Sequence, residues 1–462
     1  MIHGGLVDKF RRVVGDRGLI TNAADLAPYC HDWRGIFKGS ALCAVLPGST
    51  LEVAAIVRVC GEAGAEIVPH GGNTGLSGGA TPDATGHQVV LSLSRMNAIR
   101  QIDTVGETIE VEAGCILQIA REAAAEQGLL LPVSLAAEGS SHIGGIVSTN
   151  AGGTNVVRYG MARGRILGLE VVTADGTIVT GLRRLRKDNA GYDWKQWFIG
   201  TEGTLGIVTA AVLQLAPMPR HRVTALLAVP TSEDALHVLR AARQEIGETL
   251  TGFELMSGAA LALVTRHQKL RVPLRESAWY VLLEASSSLP GLREAAEALL
   301  AGLLEREQVT DGVIAESERQ ATELWLLRES ITEAEGKEGR SVKHDVSVPI
   351  SAIPEFLRLA DESVAHEFPG TRINAFGHAG DGNIHYNLIV PPGTQASAVN
   401  TLVHDLVVSL GGSISAEHGI GQYRVGELVR CRSTPELDLA RRIKRALDPT
   451  NMLNPGKVLD RA

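Results

Sequence analysis

Two histidines and a downstream Glu-His pair carry the strongest chemical signal in this chain. The stretch FGHAGDGNIHYNLIV, residues 376–390, places His378 and His385 on either side of an Asp-Gly pair. If Asp381 and Gly382 are the two central residues of a type I′ hairpin turn, Gly380 pairs with Asn383, Ala379 with Ile384 and His378 with His385. Directly opposed residues of an antiparallel pair have Cβ atoms about 5 Å apart on one face, so the two imidazoles converge on one point. Further along, SISAEHGIG sets Glu417 beside His418 in a glycine-rich loop. Two His and one Glu make a three-ligand set for a catalytic zinc, whose remaining position stays open to substrate. A lone His most often caps a turn or lies on the surface. A cross-strand pair joined by Glu417 and His418 is poorly explained that way.

Charge for an acidic substrate is available nearby in sequence. In TELWLLRESITEAEG, Arg328 and Thr332 are four residues apart and share one face of a helix. In RSVKHDVSV, Val342, Val346 and Val348 form the apolar face of a strand, which leaves Lys343 on the other. An Arg, a Thr and a Lys so placed could clamp a carboxylate, the Arg through its bidentate fork. Any one of them alone reads as an ordinary solvated side chain.

Three glycine-rich segments offer a different chemistry. Pro69 to Ala80 reads PHGGNTGLSGGA, Ser140 to Gly164 reads SSHIGGIVSTNAGGTNVVRYGMARG, and Gly200 to Val208 reads GTEGTLGIV. Clustered backbone N–H groups and small hydroxyl side chains suit a cradle for a pyrophosphate. There is no GxxxxGK[ST], and no GxGxxG between a first strand and helix with an acidic residue downstream. One such segment could be a tight turn; three in one domain call for a ligand.

The elements that must position these groups are legible in outline. VDKFRRVVG is a short helical lead-in, followed by an irregular link from Asp25 to Arg34. From about residue 40 to 216 the chain is strand-rich, with ALCAVLPG, EIVPHGG, VVLSL, TIEVEAG, LGLEVVTADGTIVTG and GIVTAAVLQLAP bounded by Gly, Pro or Asp-Gly. The helices VAAIVRVCGEAG and ILQIAREAAAEQG end at Gly. Asp175-Gly176 signals a hairpin. Pro217 to Pro219 mark a boundary, after which strands alternate with long Ala/Glu/Leu helices, an α+β or α/β domain of its own. The chain closes with a loop, the helix TPELDLARRIKRALDP and the tail NMLNPGKVLD.

The 462 residues suggest two or three domains. A hydrophobic fraction of 44% with 21% charged residues excludes disorder over most of the length. A net charge of −8 without a long basic run argues against nucleic-acid binding. Cys30, Cys43, Cys60, Cys115 and Cys431 are odd in number and widely spaced, as expected of reduced thiols in a cytosolic protein. No signal peptide and no membrane span are read, so a cytoplasmic location is expected, with docking at the inner face of the membrane left open.

PHGGNTGLSGG, STNAGG, FIGTEGTLGIVT and the terminal LDPTNMLNPGK, in that order and over nearly the whole chain, resemble the FAD-linked oxidases and dehydrogenases of the vanillyl-alcohol oxidase type. The resemblance implies an α+β fold. Two α+β subdomains hold FAD in an extended pose, an α/β cap (substrate) domain covers the isoalloxazine, and a C-terminal helical segment packs back on the flavin. The implied bounds are 1–35 for the lead-in, 36–217 for the FAD-binding domain, 218–412 for the cap and 413–462 for the closing segment. Carried over by motif, Gly71, Gly72, Asn73, Thr74 and Gly75 wrap the pyrophosphate, and Pro69 and Gly78 complete that stretch. Ser140, Gly144, Thr149, Asn150, Gly152 and Gly153 line the flavin; Glu202, Gly203 and Ile207 lie on the adenosine side; Asn454 returns the tail to the flavin. Some relatives bind flavin covalently through a His at the position held here by Asn73, so non-covalent FAD is expected.

His-x-Gly-Asp-Gly-Asn-x-His with a downstream Glu-His is similar to the metal-dependent D-2-hydroxy acid dehydrogenase branch of that family. By that resemblance His378, His385 and Glu417 bind Zn²⁺, with Mn²⁺ or Co²⁺ as substitutes, and His418 is the catalytic base. The spacing Arg-x3-Thr-x10-Lys resembles the substrate carboxylate site of D-2-hydroxyglutarate dehydrogenases, which assigns Arg328, Thr332 and Lys343 to it, with Asn387 and His418 as further contacts. The expected reaction is oxidation of D-2-hydroxyglutarate by hydride transfer from C2 to flavin N5, with D-lactate or glycolate as the alternative substrate. A quinone or an electron-transfer flavoprotein is the expected acceptor, and a homodimer the expected assembly. A non-redox binding role would leave the His378/His385/Glu417/His418 set without a use.

Overall fold

The computed structural model describes residues 2–461. They pack as two units: one holds the chain up to Gly152, Met161–Pro217 and everything from Glu417, and the other holds Gly153–Gly160 and Met218–Ala416. One crossing falls at Pro217, where the proline pair interrupts the strand pattern.

The first unit contains two main sheets. In one, Cys43–Val45, Val89–Ser92 and Ile67–His70 run parallel, with Leu19–Ile20 antiparallel at an edge. The strands CAV and VVLS are buried at every residue, which is why they read as unbroken apolar runs instead of alternating ones. The crossover helix Thr50–Ala63 begins at Ser49, whose Oγ accepts from the Glu52 amide at 3.2 Å, and ends at the left-handed Gly64. Between these caps Val53, Ile56, Val57 and Cys60 face the sheet, each fully buried aliphatic contributing roughly 1.5–3 kcal/mol.

The other sheet is antiparallel throughout, in the order Ile99–Asp103, Thr108–Glu112, Ile207–Gln214, Ile166–Val172, Ile178–Gly181. Asp175-Gly176 lies in the hairpin joining its last two strands, with Gly176 at φ 77°. The C-terminal tail joins the first sheet by a parallel bridge from Leu453 to Ile67, and the buried Lys444 ammonium fastens it by donating to the Thr204 and Leu453 carbonyls and to Asp448.

The second unit is built on one sheet ordered Asp311–Ile314, His221–Val229, Trp279–Ser287, Leu250–Ser257, Arg372–Gly377, Asn383–Ile389, Ser341–Val342, with Asp345–Ser347 also paired to Asn383–Ile389. Every pairing is antiparallel. The α/β alternative for this domain therefore does not hold; its helices return each strand beside an antiparallel neighbour, the α+β arrangement. Along His221–Val229, Val223, Ala225, Leu227 and Val229 belong to one core cluster and Leu226 and Ala228 to another. Both faces are thus covered: Ser232–Glu245, Leu292–Glu305, Ile353–Glu367 and Ala396–Ser409 pack on one, and Gly258–Gln268, Glu318–Glu329 and Ile331–Gly336 on the other. A polar side chain in such a sheet must bring its own partners, and the site is made of these.

The five cysteines are free thiols, four of them buried. Among the described residues no helix is long and apolar enough to cross a membrane.

Candidate functional site

In the first unit, strand Ile67–His70 delivers the first glycine-rich segment at its C-terminal end. Gly72 lies so close to the second segment that a Cβ would sit 1.9 Å from the Ser140 carbonyl oxygen, so only glycine fits. Asn73 adopts a left-handed φ of 53° and donates its amide to the His31 carbonyl at 2.8 Å. Thr74 Oγ1 and Ser141 Oγ lie 3.2 Å apart. The second segment then enters helix Ile143–Thr149, which ends at the left-handed Asn150. Gly71 and Gly72 therefore run beside the backbone of Ser140–Gly145. Gly153, by contrast, begins the short stretch assigned to the second unit, where Arg158 donates to the Ser286 carbonyl at 2.7 Å.

The third segment braces the others. Glu202 accepts from the Ile420 amide at 2.7 Å and the Gly421 amide at 2.9 Å. Burial raises its carboxyl above the ordinary range, against the pull of these amides and of Arg424. The side chain is thus spent on the loop after His418, and its backbone is engaged as well, the amide donating to the Ser148 carbonyl at 2.8 Å and the carbonyl accepting from Asn454. Ser77 Oγ, from the first segment, hydrogen-bonds the His418 and Gly419 carbonyls, and Arg424 bonds both Ser77 Oγ and the Gly419 carbonyl. Asn454 donates to the carbonyls of Gly79 at 2.9 Å and Glu202 at 2.7 Å, tying the tail to the first and third segments.

A further residue of this region is His70, just before the first glycine pair. His70 is buried with neither ring nitrogen hydrogen-bonded, and its ring lies 5.1 Å from that of Tyr29. Burial, with His142 next, pushes its pKa down to about 4, so the ring is neutral at pH 7 and offers one donor and one acceptor. Such orphans are uncommon in a folded interior and point to a missing polar partner. Glycine amides, a close backbone approach and an orphaned imidazole at the strand end fit an extended, phosphate-bearing cofactor. The signal in the sequence was a polar residue wedged between an apolar strand and a Gly pair.

The second unit holds the two histidines, in a register different from that expected. Phe376, not His378, is the partner of His385, and the His378 carbonyl accepts from both the Asp381 and Asn383 amides. The connection is thus longer than a two-residue turn. Gly377, at φ 155°, permits the close approach of the two strands at this end, where a Cβ would meet the Asn383 carbonyl oxygen at 2.6 Å. His378 becomes a diagonal neighbour of His385, still within reach, and the rings stand edge to face with centroids 5.5 Å apart.

Each ring has a carboxylate beside it. Glu254 Oε1 lies 2.6 Å from His378 Nδ1, and Asp345 Oδ1 lies 3.8 Å from His385 Nδ1. Burial would raise the Glu254 pKa, but His378 and Arg328 outweigh it and hold the carboxyl down to about 2. An ionised carboxylate only accepts, so His378 Nδ1 carries the proton and Nε2 is the nitrogen turned to a ligand.

The same Glu254 accepts from Arg328 Nε at 2.7 Å through Oε2. The Arg328 guanidinium lies 4.7 Å from the Phe376 ring centroid, and among the described residues its hydrogen bond is made through Nε, leaving the two terminal nitrogens as a fork for a carboxylate. Thr332 is not on the same helix face: Glu318–Glu329 ends at Ser330, and Thr332 is exposed on the next helix, Ile331–Gly336.

Lys343 Nζ faces Glu335 Oε1 at 3.3 Å, while Glu335 Oε2 accepts from Asn374 at 2.6 Å and from Asn387 at 2.8 Å. Asn387 Oδ1 in turn accepts from the His344 amide at 3.2 Å, which leaves one amide hydrogen of Asn387 for a substrate contact. Sequence reasoning missed Glu254 and Glu335, both 0% exposed. The available signal for Glu254 was a lone acid inside the apolar run LTGFELMS.

Glu417 follows a segment anchored in this unit. Ser413 bridges Ser347, and the Ala416 amide donates to the carbonyl of Asp345, the register partner of His385. Two imidazoles with carboxylate support, and a Glu next in chain, are the donor chemistry of a zinc or manganese site.

Comparisons with known proteins agree with this layout. The family model described as FAD binding domain matches residues 41–181, and that described as FAD linked oxidases, C-terminal domain, matches residues 218–458. The chain is 40% identical over 452 residues to a protein of Bos taurus named D-2-hydroxyglutarate dehydrogenase, mitochondrial, covering 97% of this chain and 82% of that one. It is 40% identical over 450 residues to a protein of Xanthomonas citri pv. viticola named D-2-hydroxyglutarate dehydrogenase, covering 96% and 94% respectively. A structure of p-cresol methylhydroxylase with substrate bound superposes with a TM-score of 0.79 at 19% identity, covering 99% of this chain and 97% of the other. That likeness shows the fold, of the vanillyl-alcohol oxidase type.

Proposed function

We propose that this chain, which belongs to the family of FAD-linked oxidases and is an FAD-dependent dehydrogenase, oxidises D-2-hydroxyglutarate to 2-oxoglutarate with the help of a divalent metal. The observation that carries the reading is the arrangement around two fully buried carboxylates. Glu254 holds a metal-type histidine and a guanidinium fork, and Glu335 backs the ammonium of Lys343, which lies between the short strands Ser341–Val342 and Asp345–Ser347. A site for a 2-hydroxy acid with a second carboxylate needs both kinds of group. The names of the relatives support the same substrate.

His378 Nε2, His385 and Glu417 would hold the metal, which supplies Lewis-acid polarisation of the substrate hydroxyl when bound. Gly71 to Gly75, Ser140, Gly144, Thr149, Asn150, Gly152 and Asn454 would hold FAD, which supplies the hydride acceptor at N5 when bound. His418 takes the hydroxyl proton as general base. Its backbone is fixed for this by Ser77. Arg328 and Lys343 grip the carboxylate end, with Asn387 completing the contact, and so set which face of C2 is presented. A quinone or electron-transfer flavoprotein as acceptor, a homodimer and a cytoplasmic location belong to the same proposal.

The test is steady-state reduction of an artificial acceptor by D- and L-2-hydroxyglutarate, D-lactate and glycolate. The proposal requires the D-dicarboxylate to give the highest kcat/KM. A preference for D-lactate or glycolate would contradict the assignment of Arg328 and Lys343 to a second carboxylate.

A further inference from the structure

We propose that Glu254 is a positioning residue that couples the two halves of the site: one carboxylate oxygen fixes the His378 ring for the metal, and the other fixes the Arg328 guanidinium for the substrate carboxylate. The inference rests on the reading given above. Glu254 sits in the middle of strand Leu250–Ser257, between the buried Phe253 and Leu255, and is itself 0% exposed. Its partners come from distant parts of the chain, 74 residues away for Arg328 and 124 for His378. Both bonds are short, at 2.7 Å and 2.6 Å, and each uses a different oxygen.

A carboxylate behind a ligating imidazole selects the ring nitrogen that carries the proton and stops the ring from turning. A carboxylate on Nε of an arginine fixes the plane of the fork, and the Phe376 ring beneath the guanidinium leaves that plane little freedom. Because one side chain does both, its loss affects metal affinity and substrate binding together. A residue that merely fills the core would change neither selectively.

The test uses flavin-loaded protein stripped of metal. Zn²⁺ affinity is read by competition with a chromophoric chelator, and KM and kcat for D-2-hydroxyglutarate are read after Zn²⁺ is restored. Glu254→Gln keeps the shape and removes the charge. It is expected to weaken Zn²⁺ binding about 10–100-fold and to raise KM about tenfold or more, the loss of one charge-assisted contact, with flavin content unchanged. Arg328→Met is expected to raise KM while leaving Zn²⁺ affinity as in the wild type. The double variant is expected to raise KM no further than the worse single one, since both act on one contact.

Glu254→Asp, which keeps the charge but shortens the reach, serves if Glu254→Gln does not fold and is expected to move both readouts the same way. Wild-type Zn²⁺ affinity or wild-type KM in both Glu254 variants overturns the inference, as do KM effects that add in the double variant. A wild-type protein that binds no Zn²⁺ and oxidises no hydroxy acid overturns the proposed function itself. A wild-type protein that does both beside unaffected Glu254 variants overturns only the coupling.

Discussion

His70 gives a pH dependence that can be worked from the structure. Its ring is buried, its nitrogens have no hydrogen-bond partner, and its pKa is pushed down to about 4. In the unfolded chain an imidazole titrates near about 6.5. The folded value of this base is depressed, so folding favours the neutral ring. The stability is fully present above about pH 6.5 and is lost as pH falls toward about 4. The linkage relation makes the loss about 2 kcal/mol at about pH 5 and about 3 kcal/mol at about pH 4.

His70→Phe removes the titration while keeping a ring beside Tyr29. Guanidinium unfolding of flavin-free wild type and variant, followed by circular dichroism at a series of pH values, isolates the term as the difference between the two. The wild type should lose stability relative to His70→Phe by that amount between neutral pH and about pH 4. A difference that stays constant over this range would refute the argument that the ring is buried and neutral. If FAD supplies the missing partner, His70→Phe should also bind flavin about tenfold more weakly, one hydrogen bond's worth, as read by flavin fluorescence.

Other consequences are simpler to state. Gly72→Ala places a Cβ 1.9 Å from the Ser140 carbonyl oxygen, so the two segments must part and purified protein should lose its flavin absorbance; full flavin content would contradict the cradle. Asn73 in place of a His predicts that acid precipitation releases all flavin to the supernatant, whereas flavin retained in the pellet would mean a covalent link. His418→Ala should keep FAD and lose turnover, and His378→Ala should lose bound metal and turnover together, as read by absorbance, metal analysis and acceptor reduction. Near-normal activity in either variant would sink the site assignment.

The glycine segments were legible because their constraint is local: Gly72 has room for nothing else, and Asn73 and Asn150 take left-handed φ values that their types tolerate. The antiparallel sheet of the second unit was legible as strands but not as a topology, since strands covered on both faces show no alternation. The two histidines do lie close together, but in a register other than the one read from the sequence. Asp-Gly predicts a two-residue turn, but the His378 carbonyl accepts from both the Asp381 and Asn383 amides and the connection is longer. Arg328 and Thr332 show a helical spacing that Ser330 interrupts, a break without a Gly or Pro to announce it. Glu254 and Glu335 were missed because a buried carboxylate is defined by its partners, and those are brought together only by the sheet.

The central claim is that this chain oxidises a D-2-hydroxy acid with FAD and a divalent metal. Anaerobic addition of D-2-hydroxyglutarate to the flavin-loaded protein, with and without prior chelation, tests it most directly. The account predicts rapid bleaching of the flavin absorbance, abolished by chelation and restored by Zn²⁺. Flavin that stays oxidised in the metal-replete protein, or bleaching that chelation leaves untouched, would contradict it.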